Sequence, residues 1–182
     1  MKWIRDKDFI RGKTPMTKFN IRALNMAYLS IEEGDVFLDI GAGTGSISVE
    51  ASLQGAKVYA IEKDKEAIEL LYRNKKKFSV DMEVIGGTAP KDLPCLKVDK
   101  CFIGGSSGQL SRIFEYLEHY LKKDGILCGN FIKLRNLEEA LRYLKEYNYK
   151  DIDVQLIQTS YMDEKGLLKG NNPIFIIKGV KG

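Results

Sequence analysis

The sequence predicts an α/β fold: a seven-stranded, mostly parallel sheet with helices on both faces and a C-terminal antiparallel hairpin. Three observations predict it. From Val36 onward, short apolar runs alternate with amphipathic stretches. The first apolar run ends in a glycine-rich segment that opens the next helix. The last two apolar runs have no helical pattern between them.

Element by element, Thr14-Pro15-Met16-Thr17 reads as a helix start, since proline is tolerated early in a helix and Thr17 can cap. Ile21, Leu24, Ala27 and Tyr28 follow at helical spacing. Glu32-Glu33-Gly34-Asp35 is a turn, and VFLDI (36–40) a short buried strand. A helix is expected over 46–53, a strand over 57–62 and a charged amphipathic helix over 64–78, with Ala67, Ile68, Leu71 and Tyr72 on one side. Strands follow at 82–85 and 97–103. The helix at 109–121 carries Leu110, Ile113, Phe114, Leu117 and Leu121 as its stripe. Lys123-Asp124-Gly125 turns into a strand at 126–131, and 137–147 is helical. Strands at 152–159 and 173–177 are joined by a polar, glycine-containing connection. Five β-then-α units in series imply parallel strands and right-handed crossovers.

Length and composition set bounds. The 182 residues suit one domain, 1–182, with 1–30 as a basic N-terminal cap segment. Apolar content of 44% with 30% charged residues belongs to a folded globular chain rather than a disordered one. No apolar run is long enough to span a membrane, and MKWIRDKDFIRGK lacks the apolar core of a secretory signal, so the expected compartment is the cytoplasm. Cys95, Cys101 and Cys128 form no CxxC pair and His119 is the sole histidine, so neither a protein-bound metal nor a histidine-based triad is expected. Net charge is +4, but unevenly placed. Residues 1–30 hold seven basic groups against two acidic ones, while the remainder carries 22 against 23. The positive excess is therefore a local feature of the N-terminal segment.

The strongest chemical signal is Asp39-Ile40-Gly41-Ala42-Gly43-Thr44-Gly45, which follows a strand and opens a helix. Glycine lets backbone approach a ligand closely. A bare strand-to-helix turn is the other reading, and three alternating glycines weigh against it. The dinucleotide fingerprint G-x-G-x-x-G is not met, because the third position is Ser46. Asp39 is also an unfavourable neighbour for a pyrophosphate. A ligand without phosphates fits better, and S-adenosylmethionine, with its ammonium and sulfonium, suits a nearby carboxylate. Glu62, at the end of the second strand, stands where an acidic side chain accepts both ribose hydroxyls of an adenosine. Its other reading is a solvated acid at a helix start.

The fourth strand ends in Phe102-Ile103-Gly104-Gly105-Ser106-Ser107-Gly108-Gln109. A Gly/Ser loop before a helix offers free N–H groups and a positive dipole end, suited to carboxylates or phosphates. The other reading is a flexible turn. Arg11 and Lys13 place basic side chains ahead of the core. Together with Gly104, Gly105, Ser106 and Gln109, they are the candidate contacts to a polyanionic substrate; a solvated surface or an oligomer contact is the alternative.

These residues resemble the class I S-adenosylmethionine-dependent methyltransferases, over about residues 31–178. That resemblance implies a Rossmann-like fold, a glycine loop around the methionine part of the cofactor, and Glu62 on the ribose. Thr88 departs from the acidic residue that many relatives place there, which shifts adenine recognition to backbone around Ala89. More narrowly, FIRGKTPMTK, DIGAGTGSISVEAS, GTAP and DKCFIGGSSGQL, in this order, are similar to the cobalamin-biosynthesis C15-methyltransferase family. This likeness implies action on cobalt-precorrin-6B, or its cobalt-free equivalent, with decarboxylation of the C12 acetate. It implies that Thr17, Gly41, Ala42, Gly43, Thr44, Gly45, Glu62 and Ala89 contact S-adenosylmethionine. It further implies a cytoplasmic homotetramer. No second methyltransferase domain fits in these 182 residues, so a separate chain is one candidate for methylation at C5. No residue stands out as a catalytic acid or base.

Two other functions share the glycine loop. An RNA base methyltransferase would use it equally, although the body of the chain is electrically even and shows no basic-aromatic interleaving. A non-catalytic nucleotide- or cofactor-binding module is the second. Neither nucleic acid nor membrane is an expected partner.

Overall fold

The computed structural model describes residues 3–182; Lys2 of the basic segment lies outside the described residues. Its main sheet has seven strands in the order β3-β2-β1-β4-β5-β9-β6. The N-terminal strap, residues 3–18, contains one 3-10 turn (Asp6–Asp8) and leads into α1 (Phe19–Leu29). Then β1 (Val36–Ile40), α2 (Ser46–Leu53), β2 (Lys57–Glu62), α3 (Lys65–Lys77) and β3 (Met82–Gly86) form one half of the sheet. The chain crosses to the other side of β1 for β4 (Val98–Ile103), α4 (Leu110–Tyr120), β5 (Leu121–Phe131) and α5 (Leu134–Glu146). It ends with β6 (Lys150–Ile157), β7 (Ser160–Met162), β8 (Leu168–Gly170) and β9 (Ile174–Val180).

β1 to β5 are parallel, while β9 inserts antiparallel between β5 and β6. This is the expected C-terminal antiparallel pair, with β9 reaching the sheet's interior rather than its edge. The core has two layers. Leu38, Ile40, Ile103, Leu127 and Ile177 pack with α4 and α5 through Phe114, Leu117, Ala140 and Leu144. Phe37, Val58, Ala60, Phe102 and Ile176 pack on the other face with Met26, Leu29, Val49 and Leu71. The alternation of β1 explains this division: successive side chains point to opposite faces, and both faces are covered.

Four differences from the sequence reading have physical causes. The first helix starts at Phe19, not near Thr14, because the Thr17 carbonyl is taken by the Arg22 guanidinium at 2.8 Å and the preceding strap runs as irregular chain. Only four β-then-α units form: residues 87–97, with Gly87, Pro90 and Pro94, cross from β3 to β4 without a helix. The turn expected at Lys123-Asp124-Gly125 lies within β5, where left-handed Asp124 (φ 61°) and a register shift against β4 absorb the irregularity. The polar connection 160–172 contains a two-stranded hairpin, β7 with β8. Among the described residues, no helix is long and apolar enough to cross a membrane.

Candidate active site

The order of strands reverses between β1 and β4, and the carboxyl ends of parallel strands at such a switch point are where open α/β sheets bind ligands. A cavity of about 460 Å3 opens there, in the range of small-molecule sites. Ile40 and Gly41 at the end of β1, Ile61 to Asp64 at the end of β2, Gly87 to Ala89 after β3 and Gly104 to Ser107 after β4 line it. Lys13, Thr14 and Pro15 of the strap close its remaining side.

The glycine loop owes its shape to close approach. Gly41 has φ +74°, and a Cβ there would lie 2.7 Å from the backbone N and O of Gly105. Gly45, at φ +77°, caps α2 and packs against Leu71. Four N–H groups of the loop have partners within the protein. Gly41 and Ala42 donate to the Ile61 carbonyl, Gly45 to Ala42, and Gly43 to Glu62 Oε2 at 2.9 Å. A pyrophosphate draws on such donors, so their use within the protein agrees with a ligand without phosphates.

Glu62 is fixed from both ends. Its Oε1 accepts from the backbone N–H groups of Lys63 and Asp64 at 2.8 and 3.0 Å, and its Oε2 from Gly43. A carboxylate oxygen has lone pairs beyond those contacts, so the side chain stands preorganised for two hydroxyls. Behind Thr88, Asp92 Oδ2 accepts from the Thr88 N–H at 2.8 Å and shapes the 87–92 turn.

Of the residues expected around the cofactor, Gly41, Gly43, Glu62 and Ala89 line the cavity. Ala42 and Gly45 shape the loop from behind, and Thr44 is buried. Thr17 does not line the cavity; Thr14 and Pro15 of the same segment do. Among the expected substrate contacts, Lys13, Gly104, Gly105 and Ser106 are brought to the cavity. Arg11 instead lines a separate space of about 390 Å3 with Lys18, Asn20 and Asn171. Gln109 is the N-cap residue of α4 and donates its N–H to Ser106. The N–H groups of Gly104 and Gly105 both donate to the Ile40 carbonyl, at 2.8 and 3.2 Å, so these two are not free to hold an anion. Their glycines serve the close contact with the first loop instead.

Sequence reasoning missed the device that ties the strap to this site. Asn74 of α3 is fully buried. Its Oδ1 accepts from Ile10 N–H at 2.8 Å, and its Nδ2 donates to the carbonyls of Ile10 and Thr44. One side chain thus joins the strap to the glycine loop. In a run reading Arg-Asn-Lys-Lys-Lys it looks like solvated surface.

Asp39 sits beneath the loop, buried. It accepts a hydrogen bond from Ser48, and its Oδ1 has no partner among the described residues. Burial pushes its carboxyl up to about 7, against the Ser48 hydrogen bond. The folded chain therefore holds a proton that the unfolded chain releases near 3.8. The stability gained by keeping Asp39 neutral is full below that value and lost as pH rises to about 7. Relative to Asp39→Asn, the wild type should lose about 4 kcal/mol across this window, at about 1.36 kcal/mol per unit. Urea unfolding at several pH values measures it, and a difference independent of pH would contradict it.

Among the described residues no cluster of His, Cys, Asp and Glu has a metal-holding arrangement. The cavity, its phosphate-averse loop and its preorganised carboxylate fit S-adenosylmethionine as the methyl donor.

Comparison with known proteins identifies the family. Residues 8–178 match the family described as precorrin methyltransferase domain. The cobalt-precorrin-6B C(15)-methyltransferase (decarboxylating) of Salmonella typhimurium is 35% identical over 181 residues, covering 96% of this chain and 94% of that one. The crystal structure of precorrin-6y C5,15-methyltransferase from Geobacter metallireducens superposes with a TM-score of 0.93 at 30% identity, covering 99% and 97% of the two chains. The precorrin 8w decarboxylase of Methanobacterium thermoautotrophicum gives 0.88 at 27% identity, covering 97% and 98%.

Proposed function

The chain belongs to the precorrin methyltransferase family, and from that premise we propose that it methylates C15 of cobalt-precorrin-6B and decarboxylates the C12 acetate, in cobalamin biosynthesis. One observation carries the reading. A single cavity at the β1/β4 switch point gathers the glycine loop, the fixed Glu62 carboxylate and the loop after β4, in a chain that matches its relatives nearly end to end.

S-adenosylmethionine, when bound, supplies an electrophilic methyl group on a sulfonium. The protein's own part is alignment. Glu62 accepts the ribose hydroxyls, Gly41 gives the close approach, and Ala89 forms part of the adenine wall. The loop after β4 bounds the side toward the acceptor. Holding acceptor carbon and methyl group in line converts a bimolecular step into an effectively unimolecular one. The macrocycle is its own carbon nucleophile and its own electron sink for loss of carbon dioxide, so no side chain is assigned as acid or base.

A precorrin is a polyanion, with acetate and propionate arms. Lys13 at the cofactor cavity, Arg11 and Lys18 of the strap, and Lys133 at the start of α5 place cations around the openings, which suits such arms. With S-adenosylmethionine labelled in its methyl group, the label should pass to the tetrapyrrole and not to transfer RNA. Labelled RNA would favour the RNA methyltransferase reading.

The assembly we propose is a homotetramer in the cytoplasm, with methylation at C5 left to a separate chain. Leu156, Tyr161, Met162, Leu167 and Leu168 around the β7–β8 hairpin are each more than half exposed, an apolar surface of the kind that subunit contacts cover. Light scattering should give four times the 20.6 kDa chain mass; a monomer mass would contradict it.

A further inference from the structure

Beside the cofactor cavity lies a smaller one, about 200 Å3, between the carboxyl ends of β4 and β5. The two share Gly104, Gly105 and Ser106 as a common wall. The opposite side is made by Asn130, Phe131, Ile132, Lys133 and Asn136. We propose that this smaller cavity is an anchoring subsite for one carboxylate arm of the tetrapyrrole, an inference that rests on the functional reading above.

Size, charge and surroundings support the assignment. The space lies below the usual range for whole small molecules, so it admits an acetate or propionate arm rather than the macrocycle. No Asp or Glu lines it, while Lys133 brings an ammonium and Asn130 and Asn136 bring carboxamides. The Asn130 carboxamide oxygen is buried without a partner among the described residues. Asn130 lines the cavity, and a carboxamide nitrogen is a donor that a carboxylate can accept from. Lys133 is also the N-cap of α5 and makes no side-chain cap, so the positive end of a 13-residue helix adds to the field.

The rim has the complementary character. Ile132 and Leu134 are 67% and 63% exposed. They flank Lys133 in the chain and offer exposed apolar surface there, which suits a flat macrocycle with anionic edges. The shared wall does not drift, because Gly104 and Gly105 are bound to Ile40 and pressed against Gly41. An arm held by Lys133 therefore sits at a set position relative to the cofactor cavity. That fixes the rotation of the ring and selects which bridge carbon meets the methyl group. The subsite is a determinant of position, not a catalytic group.

The test compares wild type with Lys133→Met, Lys133→Arg and Asn136→Ala, using cobalt-precorrin-6B and S-adenosylmethionine. Lys133 is exposed, so its variants keep the fold. Lys133→Met should raise KM for the tetrapyrrole by about tenfold or more, leave the Kd for S-adenosylmethionine unchanged, and yield some product methylated at another bridge carbon. Lys133→Arg should restore most of the affinity, and Asn136→Ala should show a smaller rise in KM. An unchanged KM and a single product from Lys133→Met and Asn136→Ala, with an active wild type, would overturn the subsite alone. A wild type that transfers no methyl group to the tetrapyrrole would overturn the functional reading and the subsite with it.

Discussion

Replacing Arg22 with alanine should cost about 3–5 kcal/mol of folding stability, the range for breaking a buried ion pair by removing one partner. Arg22 has no exposed surface. Its guanidinium pairs with Asp6 at 3.1 Å and Glu50 at 3.3 Å and also donates to the carbonyls of Ile4 and Thr17. It stacks over Phe9, 4.8 Å from the ring centre. Glu50, 1% exposed, would be left as an uncompensated buried carboxylate. Burial already raises its pKa, opposed by the Ile4 N–H and by Arg22. Without Arg22 the folded-state pKa climbs further, so the loss deepens as pH rises above the ordinary carboxylate value of 4.5. The damage should also reach the cofactor. Ile4, Asp6 and Thr17 belong to the strap whose Lys13, Thr14 and Pro15 wall the cavity. Denaturant unfolding and calorimetry with S-adenosylmethionine measure both effects; a loss below about 1 kcal/mol would place Arg22 among ordinary surface cations.

Gly41→Ala should abolish measurable cofactor binding, with a loss of about 100-fold or more, equivalent to about 2.7 kcal/mol. The new methyl group would lie 2.7 Å from the Gly105 backbone, which is itself bonded to Ile40 and has no flexible end to move aside. The φ of +74° adds strain. Gly34→Ala separates these causes. Gly34 has a comparable φ of +88° but open space around the added group, and it lies away from the cavity. It should lose about 1 kcal/mol of stability and bind cofactor normally. Equal affinity in wild type and Gly41→Ala would remove the paired loops from the site.

The sequence made the central strands legible because each is a short apolar run buried on both faces, and the glycine loop because its spacing has few structural uses. Glu62 was legible from its place after the second strand. The strap was not. Arg22 and Asn74 are polar residues on amphipathic helices, where a pattern of hydrophobicity assigns them to solvent, yet each is buried by satisfying several backbone groups at once. Asn74 clamps chain 64 residues distant at Ile10, a pairing that no local pattern encodes. The β7–β8 hairpin escaped notice because three-residue strands with every side chain exposed carry no burial alternation. Loop N–H groups posed the converse problem. A Gly/Ser loop before a helix reads as an anion donor, but the Ile40 carbonyl occupies the N–H groups of both Gly104 and Gly105. They pack tightly against the first glycine loop, and the proposed anion subsite lies in the neighbouring cavity.

The most direct measurement of the central claim is the mass of the tetrapyrrole recovered after incubation with the protein and S-adenosylmethionine. A product heavier by one added methyl group and lighter by one carbon dioxide is the predicted result. Recovery of unaltered cobalt-precorrin-6B, with S-adenosylmethionine bound but unspent, would contradict it.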